Sequence, residues 1–397
     1  MTSPFPAVII GGPPHSGKSV LVYSLTQTLR QMNVPHYALR ACPDGEGDFA
    51  NEAEPETVRR IRQKGAFSAT FMQRVAGFLQ QRHVPLLVDV GGLPTVEQEA
   101  VFAHCTHAVL LVGSRPSDPT SFDREMAQWE AKMARQGVPI IARLQSHLTG
   151  TNLLLETEPI ITGTLAGLER GQRADGPAFS ALVHRLAALF AYTETDLAAI
   201  HLAQAPVELT LDLPAMARTL QVPDGHWRPE HLPVVRDYLP EGKALALYGR
   251  APVWLYAMLG IVAYPAPLWL FDARLGWIQS PTLPDVGTAH VQEGWQTAVR
   301  TRAHHTLAEF KTGSQYLDID DIDGLPLPDL PTGKGLIVSG RLPNWVITAV
   351  TRQWGPQLPW LAVYQPQLEG AVVVVSRETA VPIGHILPCQ PHPIVST

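Results

Sequence analysis

Apolar and polar positions along this chain fall into two regimes, one per half. In the first half, short apolar runs recur at 7–10 (Ala-Val-Ile-Ile), 36–39, 84–89, 108–112, 139–142 and 160–163, and each predicts a strand. Helical spacing separates several of them, in Val20, Leu21, Leu25 and Leu29 after the first run and again over 120–135 and 179–190. Strands alternating with helices predict an α/β fold over residues 1–198, a doubly wound, mostly parallel sheet whose ligands sit beyond the strand C-termini.

The second half carries one pattern twice. Gly242-Lys243 leads an apolar strand into Gly249-Arg250, then Pro252 and Trp254; Gly333-Lys334 leads another into Ser339-Gly340-Arg341, then Pro343 and Trp345, each position 91 residues further on. Both copies continue through an apolar helical stretch into a strand led by Trp269 or Trp360. Each copy reads as strand, Gly-Arg loop, helix, strand, turn, strand. That is a small α+β unit of about ninety residues, one over 206–297 and one over 300–397, and two such units predict a pseudo-symmetric dimer. The apolar stretch 251–271 has the length of a membrane span, but Pro252, Pro265 and Pro267 break it, so it reads as a buried helix, a turn and a buried strand.

Composition narrows the function. Of 397 residues, 45% are hydrophobic and 17% charged, which marks a globular chain long enough for two or three domains. Net charge is −6, without the basic excess that duplex DNA requires, although a local basic patch suffices for a small phosphorylated ligand. Cys42, Cys105 and Cys389 are scattered and form no CxxC pair, so neither a disulfide framework nor a zinc site is expected; with no basic leader at the N-terminus, the expected compartment is reducing and cytoplasmic.

The strongest chemical signal is Gly12-Pro13-Pro14-His15-Ser16-Gly17-Lys18-Ser19, which fits the P-loop pattern between a strand and a helix. Glycines let backbone N–H groups close around phosphates at a helix N-terminus, Lys18 reaches the β- and γ-phosphates, and the Ser19 hydroxyl binds Mg²⁺. Asp89 ends the apolar strand at 84–89 and matches the second acid of such sites, holding Mg²⁺ directly or through water, with Gly91 and Gly92 after it. The expected cofactors are ATP, preferred over GTP for want of an Asn-Lys-x-Asp motif, and Mg²⁺ or Mn²⁺. After the second strand, Asp44, Glu46 and Asp48 alternate with glycines; Asp44 and Glu46 are candidates for a second metal or for orienting a nucleophile, against the plain reading of a solvated turn. Arg59, Arg60, Arg62 and Lys64 form a basic helix end, a solvated face or a phosphate contact in trans. An ATPase, a small-molecule kinase and a nucleotide switch all remain open for this domain.

The repeated Gly-Lys-x₅-Ser/Tyr-Gly-Arg-x-Pro-x-Trp run, the Asp272-Ala-Arg274-Leu-Gly276 turn and the Ala-Val-Val-Val-Val-Ser strand at 371–376 resemble the Csx-three family of type III CRISPR systems. That family resembles ring nucleases that cleave cyclic tetra-adenylate, and some members are fused to a P-loop, AAA-type ATPase domain. The resemblance implies that Gly249, Arg250, Ser339, Gly340 and Arg341 hold the cyclic oligoadenylate, and that Asp272 and Arg274 stand near the scissile phosphate. It also implies a homo-oligomer (dimer, tetramer or filament), and an enzyme that is a ring nuclease, an ATPase or both. Two departures bear on cleavage: the family's His-Pro step is Tyr264-Pro265 in one copy and Gly355-Pro356 in the other, and the second copy has Gln365 and Gln367 in place of the Asp and Arg. A sensor that binds the messenger without cutting it, and a small-molecule kinase with oligomerising repeats, are the alternatives.

Overall fold

The computed structural model describes residues 5–41, 69–91, 94–95, 99–114, 118, 120–286, 291, 294–312 and 317–389. The chain divides into two compact units, Met1–Ala199 and Ile200–Thr397. The acidic residues Asp44, Glu46 and Asp48, the basic run Arg59–Lys64, and Cys42 and Gly92 lie outside the described residues.

The first unit runs β1 (Ala7–Gly11), α1 (Lys18–Gln31), β2 (Tyr37–Arg40), α2 (Ala69–Gln80), β3 (Leu86–Asp89), β4 (His107–Gly113), α3 (Ser121–Arg135), β5 (Ile140–His147), β6 (Leu153–Glu156), β7 (Ile161–Ala166), α4 (Pro177–Leu189) and α5 (Glu194–Leu202), the last crossing into the second unit. Its sheet has the order β2-β3-β1-β4-β5-β7-β6, parallel except for β6 at the edge. The inner strands β1 and β4 are buried along almost their whole length, because helices cover both faces. Leu21, Leu25 and Leu29 of α1 and Phe179, Leu182 and Leu186 of α4 pack together in one of its cores. Two differences from the sequence reading stand out. The run at 160–163 extends to Ala166 and forms a hairpin with β6, whose Leu155 is 70% exposed and so carries no burial rhythm. The strand read at 139–142 extends to His147, paired on both sides by β4 and β7.

The second unit runs β8 (Thr210–Asp212), α6 (Leu213–Thr219), α7 (Leu232–Tyr238), β9 (Leu245–Tyr248), α8 (Val253–Ala263), β10 (Leu268–Asp272), β11 (Gly276–Gln279), β12 (Gln296–Thr301), β13 (His305–Lys311), β14 (Gly335–Gly340), α9 (Asn344–Trp354), β15 (Trp360–Gln365), β16 (Gly370–Ser376) and β17 (Ile386–Pro388). One sheet has the order β11-β10-β9-β8 and the other β12-β13-β14-β15-β16-β17. In both, three parallel strands (β8, β9, β10 or β13, β14, β15) are followed by an antiparallel one (β11 or β16), and the helix between the second and third strands begins 91 residues later in the second half.

The helices α8 and α9 join the two halves. α8 is apolar all round, with nine of its eleven residues buried, as a helix packed on every side must be. Arg352 of α9 donates to the Gly260 and Ala266 carbonyls at 2.7 and 2.9 Å. Leu245, Leu247, Leu268 and Leu270 of the first sheet share one continuous core with Leu336, Val338, Leu361 and Val363 of the second. The stretch 251–271 thus forms a buried helix and strand, and no helix among the described residues is long and apolar enough to cross a membrane.

The two outer faces differ. That of the second sheet is lined by Leu307, Ile337, Trp360, Ala362 and Val373, with Val381 and Leu387 packed on it. That of the first carries an aromatic group in which Phe271 stacks on His201 at 4.2 Å between ring centroids. Tyr248 tilts against both rings, and its hydroxyl lies 2.9 Å from His201 Nδ1.

Candidate functional site

In the first unit, the Gly12–Ser19 loop leaves the end of β1 and turns into α1 at the C-terminal edge of the sheet. The chain passes so close to its neighbour here that a Cβ on Gly12 would stand 1.9 Å from the Leu111 carbonyl oxygen. Gly17, at φ 88°, precedes α1, and no side chain caps that helix, so its first N–H groups face the loop. His15 is exposed and held at φ 61°. Ser16 is buried, its carbonyl accepts from Ser146 Oγ at 2.8 Å, and its own Oγ has no partner among the described residues. Lys18 is buried, 7% exposed, and its ammonium donates to the Pro13 carbonyl at 2.7 Å, folded back over the loop.

Strand order brings the second acid to this loop. Because β3 pairs directly with β1, with Ile10 opposite Asp89, the Asp89 carboxylate meets the first turn of α1, and Ser19 Oγ donates to Asp89 Oδ2 at 3.0 Å. On the other side β2 pairs with β3, with Arg40 opposite Asp89, and Arg40 Nη2 lies 3.8 Å from the same Oδ2. Arg40 takes its place in the site through strand pairing alone, and its only sequence signal is its position at the end of an apolar run.

A hydroxyl and one carboxylate fit a hard divalent cation that takes its remaining oxygens from a phosphate ligand and water. No group of three or more His, Cys, Asp or Glu able to hold a metal occurs among the described residues.

In the second unit, the two Gly-Arg pairs occupy equivalent edges. Gly249 follows β9 at φ 95°, and a Cβ there would lie 2.5 Å from Pro214 Cδ; Gly340 ends β14, where a Cβ would lie 2.7 Å from the Phe310 carbonyl oxygen. Pro252 and Pro343 are the N-caps of α8 and α9, and neither offers a side-chain cap. The orphan N–H groups of each first turn are therefore open to an anion. Arg250 and Arg341 are exposed, and neither is within ion-pair or hydrogen-bond reach of a described residue. Ser339 lies half-buried at the end of β14, in register with Glu309.

Asp272 and Arg274 are committed elsewhere. Asp272 Oδ1 accepts from the Arg274 and Leu275 N–H groups at 2.8 and 3.1 Å, closing the turn between β10 and β11. Arg274 Nη1 lies 3.4 Å from Asp318 Oδ2, and its Nη2 donates to the Leu317 carbonyl. The Tyr256 hydroxyl donates to the Gly249 carbonyl beneath the loop; burial, and secondly the Asp272 charge, raise its pKa above the ordinary tyrosine value. Strand register adds two acids absent from the motif: Asp212 of β8 pairs with Tyr248 and Glu309 of β13 with Ser339, and these two partners, Tyr248 and Ser339, are 91 residues apart. Asp212 caps α6 by accepting from the Ala215 N–H at 3.2 Å, and the buried Glu309 is ion-paired with Arg300.

A family model describing the CRISPR-associated protein (Cas_csx3) matches residues 310–388, which begin in β13 and take in β14, α9, β15, β16 and β17 with Ser339, Gly340 and Arg341. Over residues 310–388, in its C-terminal region, this chain is similar to the Csx3 family of CRISPR-associated proteins.

Proposed function

We propose that the second unit binds a cyclic oligoadenylate messenger of type III CRISPR signalling, and that the first binds ATP with Mg²⁺ or Mn²⁺ on Gly12–Ser19 and Asp89. The observation that carries the reading is the pair of exposed, unpartnered arginines, Arg250 and Arg341, just before two uncapped helices in corresponding positions of two sheets that share the order of four strands. A guanidinium beside orphan helix N–H groups suits phosphate, and two such corners suit a ligand with repeating phosphates. On this reading the halves are tandem copies of one unit, arranged as a pseudo-dimer. The fusion to a P-loop domain and assembly into dimers, tetramers or filaments extend it; a monodisperse monomer in scattering, with and without ligand, counts against assembly.

Binding is better supported than cleavage. Asp272 is spent on its own turn, Arg274 on Asp318 and Leu317, and neither Tyr264 nor Gly355 supplies an imidazole for acid–base help. Degradation is the second reading: a 2′-hydroxyl held in line can attack the adjacent phosphorus, losing its proton to water as the 5′-oxygen leaves with a proton and a 2′,3′-cyclic phosphate forms, and orientation alone accelerates that step.

The test is a product and binding assay with cyclic tetra-adenylate, with and without ATP and Mg²⁺ or Mn²⁺, read by mass spectrometry and calorimetry. Binding that falls at least tenfold in Arg250→Ala and Arg341→Ala supports the receptor reading. Linear products that vanish in Arg274→Ala make the chain a ring nuclease, and absence of binding by the wild type refutes both. For the first unit, Lys18→Ala is expected to lose ATP binding; unchanged affinity refutes the P-loop assignment.

A further inference from the structure

We infer that Arg40 holds the charge of Asp89 while the phosphate site is empty and that Mg²⁺ displaces it, so that metal and guanidinium compete for one carboxylate oxygen. The inference rests on the proposed ATP–Mg²⁺ site and adds a residue to it.

Asp89 is 3% exposed, at the end of a strand whose four residues are all buried. A carboxylate so placed needs a nearby positive charge or several donors. Ser19 gives one hydroxyl at 3.0 Å, and Lys18 donates to the Pro13 carbonyl at 2.7 Å. Arg40 supplies charge from the adjacent strand, with Nη2 at 3.8 Å from Oδ2, the oxygen that also receives the Ser19 hydroxyl. Its approach is built into the sheet. Arg40 and Asp89 are register partners in parallel strands, and the Ala41 N–H donates to the Asp89 carbonyl at 2.8 Å, which fixes the root of the arginine.

Mg²⁺ bound to a nucleotide would take the Ser19 hydroxyl and the Asp89 carboxylate as ligands or through water. Two cations cannot share that oxygen at close range without repulsion, so the guanidinium must withdraw as the metal arrives. Its side chain is 17% exposed, which leaves it a path toward solvent.

The test is a Mg²⁺ titration of the binding of a fluorescent ATP analogue to the full chain. Arg40→Gln removes the competitor, so half-saturating Mg²⁺ is expected to fall about tenfold, equivalent to ~1.4 kcal/mol. Arg40→Lys, which keeps the charge without the fork, is expected to lie between the two. Thermal melting without metal supplies a readout independent of nucleotide: Arg40→Gln should melt below the wild type and gain more from added Mg²⁺. An unchanged Mg²⁺ midpoint overturns the inference. So does a loss of analogue affinity that is the same at every Mg²⁺ concentration, because it would make Arg40 a phosphate ligand only. A wild type that binds no analogue at all overturns the nucleotide-site reading itself, an outcome distinct from these.

Discussion

A single methyl group tests whether α8 and α9 meet as closely as described. A Cβ on Gly260 would stand 2.7 Å from Thr348 Cγ2 and 3.2 Å from Arg352 Cγ. Two effects oppose each other in Gly260→Ala. Alanine gains about 1 kcal/mol of helix propensity over a mid-helix glycine. Against this, the new methyl comes about 1 Å inside the ~3.5–4.0 Å separation that carbon atoms prefer. Neither neighbour yields readily: Thr348 is fully buried and β-branched, and the Arg352 guanidinium is fixed on two carbonyls. Overpacking of this kind costs about 1–3 kcal/mol, so the net expectation is a loss of up to about 2 kcal/mol. Thr348→Ser removes Cγ2, and in the double variant the clash largely goes, giving a coupling of about 1–2 kcal/mol in favour of the pair. Thermal or urea unfolding measures this, since a unit of this size shifts about 2–4 °C for each kcal/mol. If Gly260→Ala alone raises stability by about 1 kcal/mol, or if the two changes add within about 0.5 kcal/mol, the close approach of the helices is refuted.

Two further expectations concern the first unit. Burial is the main cause that lowers the His36 pKa from 6.5; its Nδ1 bonds the Val34 carbonyl at 2.8 Å, and its buried Nε2 has no partner among the described residues. The unfolded chain therefore takes the proton first, so the contribution of His36 to stability is whole above pH 6.5 and is lost as pH falls through the lowered folded value. His36→Phe, which keeps a ring against Phe190, should flatten the acid side of the stability–pH curve, and an unchanged slope refutes the assignment. Burial pushes the Cys105 thiol up to about 12, so at pH 8 it should resist alkylation until the protein is unfolded; rapid labelling at Cys105 in the native state, seen by peptide mass mapping, contradicts it.

The chain announces its strands where burial imposes a rhythm and hides them where it does not. The runs leading to Gly11, Asp89 and Gly113 are visible because both faces are covered, and the elements fall within a few residues of their expected places. The edge strand β6 is mostly exposed, and β8 has three residues, too few for any period. The Gly-Arg corners are legible because glycine is required by close approach to Pro214 and Phe310. Side-chain direction is not legible in the same way. The motif names Asp272 and Arg274, but only the folded turn shows the carboxylate accepting from its own backbone and the guanidinium reaching Asp318. Arg40, Asp212 and Glu309 owe their places to strand register, which a linear pattern does not contain.

The core shared by the two sheets of the second unit also bears on how such a chain can evolve. Since α8 is buried on nearly every side, with α9 against it, neither half keeps a water-compatible surface when the other is cut away. A gene encoding one half alone would have to restore that cover with a second polypeptide. If the halves are tandem copies, as proposed, each can lose residues that the other retains, and Gln365 and Gln367 stand in the second half where the first has Asp272 and Arg274. On that reading, covalent linkage turns an obligate pair of equals into a licence for asymmetry.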